Sequence, residues 1–416
     1  MATAQQQPYA PVVVNAAPTA VAYGPVVNTA GALDPYARFQ SPSFGFPDPG
    51  AFLRQTVGER LWLRGEYLYW QVDGMEVPAL VTSSPIGTPQ SQAGVLGQSG
   101  TTIRFGSGEF NEGGTSGYRV SGGFWVTPNR AFGIGAEYFD LMEQDDGFSA
   151  SGDGSSILAR PLFDITSGNE TSQLISFPGF ARGSIAITSE SDLRSFLING
   201  RAALCPQCQG TCGCPTGDRV DWIVGYRYLE LDDRLRLREN VTSLVTAEPG
   251  SISLDELFRA ENRFNGLQLG VAYQSRFERF WLESSLRVAV GNMNQQVSIE
   301  GNSIVNDGTT TTGYTGALLA QRTNIGNYER DEFTMIPEIG LQAGIRLTDW
   351  LHANVGYTLL YLPNVVRAGH QIDTDVNPGL FPPETDPLTG ALRPRFSFRQ
   401  DDFLAHGLSV GAQVQF

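Results

Sequence analysis

Four cysteines stand close together in the sequence CPQCQGTCGC, at Cys205, Cys208, Cys212 and Cys214. Four thiolates at such short spacing can hold a zinc ion or an iron–sulfur cluster. Paired Cys-x-x-Cys elements separated by a long loop would indicate zinc strongly, whereas this compact cluster indicates it weakly. Two disulfides that rigidify a turn are the alternative in an oxidising compartment, and we favour them and expect no cofactor. A bridge from Cys212 to Cys214 is the least expected pairing, because a single intervening residue strains it.

Histidines are too few to suggest acid–base chemistry. Only His352, His370 and His406 occur, and an enzyme would need a nucleophile, a base and an orienting acid held together. His370 could bind a metal or act as a base with Asp373 and Asp375, but a solvated loop is the simpler interpretation. No Gly-x-Ser-x-Gly turn, His-Glu-x-x-His helix or phosphate-binding glycine loop is found. We therefore expect that the protein is not an enzyme.

A third group of candidate residues consists of charged side chains at alternate positions of otherwise apolar segments. They are Arg64, Glu66, Arg119, Glu137, Asp221, Arg227, Glu283, Arg287, Glu338 and Arg346. Alternate side chains of a strand point to opposite faces, so these ten would share the polar faces of their strands. Inside a barrel they would line the lumen, where they could select solutes as a constriction or fill the interior by pairing with each other. For a barrel of ten strands, the filled interior is the favoured interpretation.

The elements that would position these residues are alternating segments, of which the last, Phe403–Phe416, is the clearest. Its even positions are mostly apolar and end in Phe416, while its odd positions from Gly407 onwards are small or polar. Ten such segments follow one another from Gly58. Four connections between them are shorter, at 128–130, 205–218, 277–279 and 348–350. Five are long, at 74–115, 145–191, 240–260, 300–331 and 366–400.

Short and long connections in strict alternation are typical of an up-and-down barrel with turns on one rim and loops on the other. An even number of strands returns both termini to the turn rim, which faces the periplasm in outer-membrane barrels. Thr101–Phe105 and Ser184–Thr188 could be two further strands. The sequence therefore predicts an all-β fold, a single up-and-down antiparallel transmembrane β-barrel of ten to twelve strands.

A soluble lipocalin-like barrel or sandwich would show the same alternation, with its apolar face turned inward. Three features favour the membrane barrel: turns and loops segregate by length, tyrosine and tryptophan lie near strand ends as in interfacial girdles, and the polar faces are rich in Gly, Ser and Gln with matched Arg and Glu. The aromatic residues are Tyr67, Tyr69, Trp222, Tyr228, Tyr357 and Tyr361.

Composition sets further limits. The chain has 416 residues, of which 17% are charged, and a net charge of −15 argues against a nucleic-acid partner. No apolar run is long enough for a transmembrane helix. Residues 1–57 are rich in Ala, Pro and Val and are expected to form a disordered tail, with the barrel over 58–416. No signal peptide is recognisable near Met1, so an exported barrel would require that a signal was removed or that the true start lies upstream.

Three motifs resemble a known family. They are the segment Glu66-Tyr67-Leu68-Tyr69-Trp70, the Gly-Val-Leu-Gly-Gln segment from Gly94, and Ser-Gly-x-Arg with Gly-x-Trp in SGYRVSGGFWV from Ser116. Together they resemble the seventh of the numbered families of putative β-barrel porins of bacterial outer membranes, convincingly over about 58–145 and collinearly to the C-terminus. The resemblance implies a multi-pass barrel in the outer membrane but little about substrate, and the cysteine cluster matches no motif of the family.

Two functions remain open from the sequence. We expect passive passage of small hydrophilic solutes, and the alternative is a surface-exposed structural or adhesive protein with a packed, closed lumen. The expected partners are outer-membrane lipid, the barrel assembly machinery and, for a pore, small hydrophilic solutes. In outer-membrane barrels a terminal aromatic serves as an assembly signal, and Phe416 would have this role here.

Overall fold

A computed structural model describes residues 60–204, 218–384 and 387–416. The predicted tail at 1–57 and the cluster of four cysteines lie outside the described residues. Among the residues described, no helix is long and apolar enough to span a membrane.

Strands account for most of the described chain. In order, they are β1 (Leu61–Val72), β2 (Met75–Val77), β3 (Val81–Ser84), β4 (Thr102–Phe105), β5 (Gly108–Phe110), β6 (Gly113–Trp125), β7 (Phe132–Gly152), β8 (Ile157–Asp164), β9 (Asn169–Ser176), β10 (Ala181–Ala203), β11 (Arg219–Ser243), β12 (Ser251–Phe277), β13 (Phe280–Asn306), β14 (Thr311–Thr315), β15 (Gly326–Arg346), β16 (Leu351–Val366), β17 (Asp375–Val376) and β18 (Gln400–Gln415). Three single-turn 3-10 helices, η1 (Gln90–Gln92), η2 (Gly369–Gln371) and η3 (Pro378–Leu380), lie in the connections.

Ten long strands form a closed antiparallel barrel, in the order β1, β6, β7, β10, β11, β12, β13, β15, β16 and β18. The last strand returns to pair with the first, so that the backbones of Leu61 and Phe416 exchange two hydrogen bonds of 3.1 and 2.8 Å. The predicted up-and-down barrel is therefore confirmed, with ten strands. Thr102–Phe105 is a short strand within a loop sheet and Ser184–Thr188 is part of β10, so neither segment adds a barrel strand.

The lower half of the barrel, next to the short turns, carries a belt of outward apolar side chains that we call the apolar band. Every strand of the barrel contributes to it, with Leu63, Val120, Ile134, Ile198, Val224, Leu269, Leu286, Ile339, Val355 and Val410 all exposed. On β13 the band runs from Phe280 to Val290, which corresponds to a height of about 25 Å at the usual rise and tilt of barrel strands. This height matches the hydrocarbon thickness of an outer membrane.

Above the band six of these strands, β7, β10, β11, β12, β13 and β15, continue for many residues, and their polarity reverses. On β11, Val224 points outward from the band, whereas Arg236 and Arg238 point outward higher up, where Leu235 and Leu237 are buried inside. This upper half, which we call the extension, is apolar inside and charged outside, as in a soluble barrel. The predicted long connections at 145–191, 240–260 and 300–331 were therefore wrong in their limits, because strands occupy much of them.

The interior of the extension is filled by the loop segments. Strands β3, β4, β8, β9 and β17 form one small sheet, and β2 pairs with β5. Their apolar side chains pack against inward residues of the wall in a single cluster, the extension core. Loop residues in it include Met75, Leu80, Phe105, Leu162, Leu318 and Ile372, and wall residues include Ile187, Leu237, Phe258 and Ile299.

Two buried arginines attach the loops to the barrel wall. Arg160 of β8 lies 3.3 Å from Glu239 and 2.5 Å from Glu256, and all three side chains are almost without exposure. Arg367, which directly follows β16, pairs with Asp233 of β11, and both side chains are completely buried. Since a buried charge is stable only with its counterion in place, these pairs hold the loops inside the extension.

Glu239 makes the first of these attachments sensitive to pH. Burial raises the pKa of Glu239 to about 7 from its ordinary value of 4.5, although Arg160 opposes the shift. The folded state thus holds this proton more tightly than the unfolded state, and stability is lost as the pH rises from 4.5 through about 7.

We expect the Glu239→Gln variant, which cannot ionise at this position, to lose less stability between pH 5 and pH 8 than the wild type, by up to about 3 kcal/mol. Urea unfolding followed by tryptophan fluorescence in detergent micelles measures the difference. An equal loss in both proteins would contradict this role of Glu239.

Candidate functional site

The barrel interior holds the candidate site, and it is divided into layers. Immediately below the extension core, seventeen buried apolar residues form a second cluster, which we call the apolar layer. Its members come from nine of the ten barrel strands, and they are Leu68, Trp70, Val72, Phe139, Leu141, Leu193, Leu229, Leu231, Phe264, Ala289, Met293, Ile336, Leu360, Leu362, Val365, Phe403 and Ala405. Trp70, Phe264 and Met293 have no solvent-accessible surface, so other protein atoms surround these three side chains on all sides.

A charged layer lies below the apolar layer, inside the membrane-spanning half of the barrel. Glu338 of β15 accepts from Arg227 at 2.5 Å and lies 3.4 Å from Arg287, which in turn lies 3.3 Å from Glu137. These contacts join β11, β13, β7 and β15 across the lumen. The charges therefore bind each other in place of solvent.

Glu66 is the centre of a second network in this layer. It accepts hydrogen bonds of 2.6 Å from Gln342 and from Asn354, and it lies 3.6 Å from Arg119. The guanidinium of Arg119 lies 5.4 Å above the ring of Trp70, which belongs to the apolar layer. The two layers are thus in direct contact.

A cavity of about 200 Å³ follows between the charged layer and the turn rim. We call it the vestibule. Arg64, Glu283, Arg201, Asp221 and His352 line its wall, and the exposed Arg346 lies at its edge. Glu283 pairs with Arg201 at 3.0 Å, and Asp221 pairs with Arg219 at 2.7 Å.

Tryptophans shape the vestibule because each lies over a glycine of the neighbouring strand. Trp281 is the cross-strand partner of Gly344, and Trp125 is that of Gly133. A methyl group on Gly344 would stand only 2.3 Å from Trp281 Cε2, so this position requires glycine. The rings lie flat against the wall as a result, and the space within the vestibule stays open.

The ten charged residues predicted from the sequence therefore lie at three levels. Glu66, Arg119, Glu137, Arg227, Arg287 and Glu338 form the charged layer; Arg64, Asp221 and Glu283 line the vestibule; and Arg346 lies at the rim. Arg201, Arg219 and the amides of Gln342 and Gln413 were not among the residues predicted from the sequence. Gln342 and Gln413 stand on the polar faces of alternating segments, which is the signal that could have identified them.

The three histidines are far apart in the structure. His352 lines the vestibule, whereas His406 lies on the outer face, where its Nδ1 is 2.8 Å from the hydroxyl of Tyr357. His370 lies among the loops, 3.4 Å from Glu76 and 3.6 Å from Asp401. Asp373 and Asp375 each pair with Arg393, at 2.9 and 3.1 Å.

The family model described as putative beta barrel porin-7 matches residues 62–416, which includes every described residue apart from the first two, 60 and 61. The chain belongs to this family. With its apolar band, this member of the porin-7 family is an outer-membrane β-barrel protein. The resemblance noted from the sequence is confirmed. No curated protein matches the chain.

Solved structures of outer-membrane barrels resemble the chain in outline. The outer membrane protease OmpT from Escherichia coli matches with a TM-score of 0.39 and 9% identity, over 86% of this chain and 97% of that one. A Pseudomonas aeruginosa FadL homologue matches with a TM-score of 0.22 and 9% identity, over 86% and 90%. The translocator domain of the autotransporter NalP from Neisseria meningitidis matches with a TM-score of 0.22 and 9% identity, over 88% and 92%.

Proposed function

We propose that this member of the porin-7 family is a sealed outer-membrane barrel that serves as a surface-exposed structural protein of the envelope. The observation that carries this proposal is the apolar layer, which brings buried apolar side chains from nine of the ten barrel strands together inside the barrel. A hydrated ion would have to shed its water to pass such a layer, and burying an unpaired charge is very costly. The extension core above it adds a second barrier.

The extension supports the surface role. Its outer wall is a network of charged side chains, in which Arg236 lies 2.7 Å from Asp255 and Arg263 lies 3.3 Å from Glu230. Such a wall is suited to contact with water above the apolar band. The loops packed inside the extension give the extension a rigid upper surface. We propose that the extension points outward from the cell and that the turn rim, with both termini, faces the periplasm.

Passive passage of small hydrophilic solutes is the second candidate, and the vestibule favours it because it opens an aqueous space at the turn rim. In the conformation described here, passage would require the apolar layer to separate. We also propose that the protein is not an enzyme, because its three histidines lie in separate environments and no serine, threonine or cysteine stands beside them among the described contacts.

Conductance in planar lipid bilayers distinguishes the two candidates. We expect no stable conductance steps from protein whose folding is verified by heat-modifiable gel mobility, while a general porin reconstituted in the same way conducts. Stable ion-conducting steps that scale with the amount of folded protein would overturn the sealed-barrel proposal and establish passive passage.

We propose outer-membrane lipid and the barrel assembly machinery as partners, and Phe416 provides a test of the latter. Deleting Phe416 removes a half-buried residue at the end of β18 and its terminal backbone bonds with Leu61. We expect several-fold less folded barrel in the outer membrane of cells, while protein refolded in detergent loses only about 1 kcal/mol of unfolding free energy. A Gln415→Ala variant is the control, and equal membrane levels of the deletion and the control would refute the assembly role.

A further inference from the structure

The vestibule is strongly cationic in a protein whose net charge is −15. Among the described residues, nine arginines line it, against four carboxylates. This imbalance is concentrated in one cavity with protein on most sides, where charges are less screened than on a free surface. The vestibule therefore has a positive potential that attracts anions.

Most of the carboxylates in the vestibule are already paired with arginine. Glu283 lies 3.0 Å from Arg201, Asp221 lies 2.7 Å from Arg219, and Glu137 lies 3.3 Å from Arg287. These pairs neutralise only some of the guanidinium groups.

Other arginines of the vestibule contact neutral groups. Arg64 donates to the amide oxygen of Gln413 at 2.7 Å and also to Gln342, and Arg276 donates to Gln274 at 3.0 Å. The guanidinium of Arg64 is held between two tryptophan rings, 5.6 Å from Trp281 and 5.9 Å from Trp62. It is thus fixed in position before any ligand arrives.

Donors without acceptors are also found deeper in the vestibule. Arg119 Nε and Arg287 Nε are buried and have no hydrogen-bond partner among the described residues, and the hydroxyl of Ser409 has none either. All three residues line the same cavity. Buried donors are nearly always satisfied in folded proteins, so these atoms have unused hydrogen-bonding capacity that a water molecule or an anion in the cavity would fill after a small shift of the side chains.

We propose that the vestibule is a binding site for a small organic anion that carries carboxylate or phosphate groups. Guanidinium groups match the geometry of both groups through paired hydrogen bonds. Arg64 would bind the anion near the rim, and Arg119 and Arg287 would donate from the floor of the cavity. This site goes beyond the sealed-barrel proposal and does not depend on it, because a ligand can bind in the vestibule whether or not the barrel conducts.

Calorimetric titration of the full-length protein in a neutral detergent tests the site, with citrate and inorganic pyrophosphate as probes at low salt. We expect at least one probe to bind and the affinity to fall as salt rises. The Arg64→Gln variant should bind roughly tenfold more weakly or worse, because a charge-assisted hydrogen bond is lost. The Arg346→Gln variant, changed at an exposed position, should bind about threefold more weakly.

The matched control is Arg234→Gln, which removes an exposed arginine that pairs with Glu190 on the outer wall of the extension. It should bind the probes as the wild type does. If Arg64→Gln does not fold, Arg346→Gln with its control still decides the question.

An anionic phospholipid could supply the same chemical groups, and native mass spectrometry separates this source from a free anion. A co-purified anionic lipid that is depleted strongly in Arg64→Gln and partly in Arg346→Gln but kept in Arg234→Gln would assign the site to lipid, whereas binding of citrate or pyrophosphate alone would assign it to a soluble anion. If neither probe binds the wild type and no such lipid is found, or if all the variants bind equally, the proposal is wrong.

Discussion

Replacement of Arg160 by leucine is expected to lower the free energy of unfolding by about 3–5 kcal/mol at pH 8. The change removes the cation that Glu239 and Glu256 share, and it leaves both carboxylates buried inside the extension. Glu256 would keep two backbone donors, the amides of Leu319 at 2.5 Å and of Ala320 at 3.1 Å, but these bonds do not replace a full charge. The expected effect is large because the carboxylates can reach neither water nor another described cation.

Guanidinium unfolding in detergent micelles measures this loss, and Arg234→Leu is the matched control. Arg234 also pairs with a glutamate, at 2.9 Å, but both side chains are substantially exposed. An exposed pair contributes about 0–1 kcal/mol, so the control should remain close to the wild type. Equal losses in the two variants would show that the buried position of Arg160 has no special importance. At pH 5 the loss in Arg160→Leu should be smaller, since Glu239 then accepts a proton.

Replacement of Arg367 by leucine is expected to produce a loss of similar size, about 3–5 kcal/mol, because Asp233 would be left buried without its cation. Asp233 would keep the hydroxyl of Ser191 at 2.7 Å as its remaining donor. Arg367 is the first residue of the connection after β16 and attaches this connection to the wall. In the variant the connection should therefore also become accessible to protease.

The double variant Arg367→Leu with Asp233→Leu separates charge from packing. Replacing both members of a buried ion pair with apolar residues is often nearly neutral, so the double variant should recover most of the loss. The carbonyl of Gly74 would lose its hydrogen bond from Arg367, which limits the recovery. A double variant as unstable as Arg367→Leu would show that the charge of Asp233 is not the cause.

The membrane-spanning half of this barrel could be predicted from sequence because its pattern is simple. In the segment 267–273, every second residue is apolar and the others are small or polar, and 222–228 departs from this pattern only at Ile223. Such a period of two residues indicates a strand. The two faces of each strand then predict which side chains point outward and which point into the lumen. Trp222 and Leu269 point outward in the structure, whereas Asp221 and Gln268 are buried inside.

Much of the extension was predicted from the sequence to consist of loops, and this error has a physical reason. The alternation continues through Leu235 and Leu237, but the apolar residues change from the outward face to the inward face where the strand leaves the membrane. In the predicted pattern the outward face of each strand is apolar along its whole length. Segments whose inward face is apolar therefore did not fit the pattern. Leu229, Leu231, Leu235 and Leu237, in the run LELDDRLRLR, carried the signal.

The closed interior could be predicted only in part. Pairing of the inward charges was favoured from the sequence, and Arg227 with Glu338 is an example. The apolar layer was not predicted, because Leu68 and Trp70 occur in a segment whose outward residues are also apolar. Contacts such as that of Arg160 with Glu256 depend on where a loop folds, and alternation within a strand carries no information about that.

Arg367 contacts both the barrel wall and β18, the strand that closes the barrel by pairing with β1. This position bears on the order of assembly. Its guanidinium binds Asp233 of β11 and lies 5.1 Å from the ring of Phe403 in β18. β18 is also the strand that must find β1, across nearly the entire length of the chain. Such distant pairing is slow to form, because a long loop must close first. We therefore expect the strands β1 and β18 to pair after the loops have filled the interior, and we expect a chain whose loops are misplaced to be left with an open edge between its first and last strands.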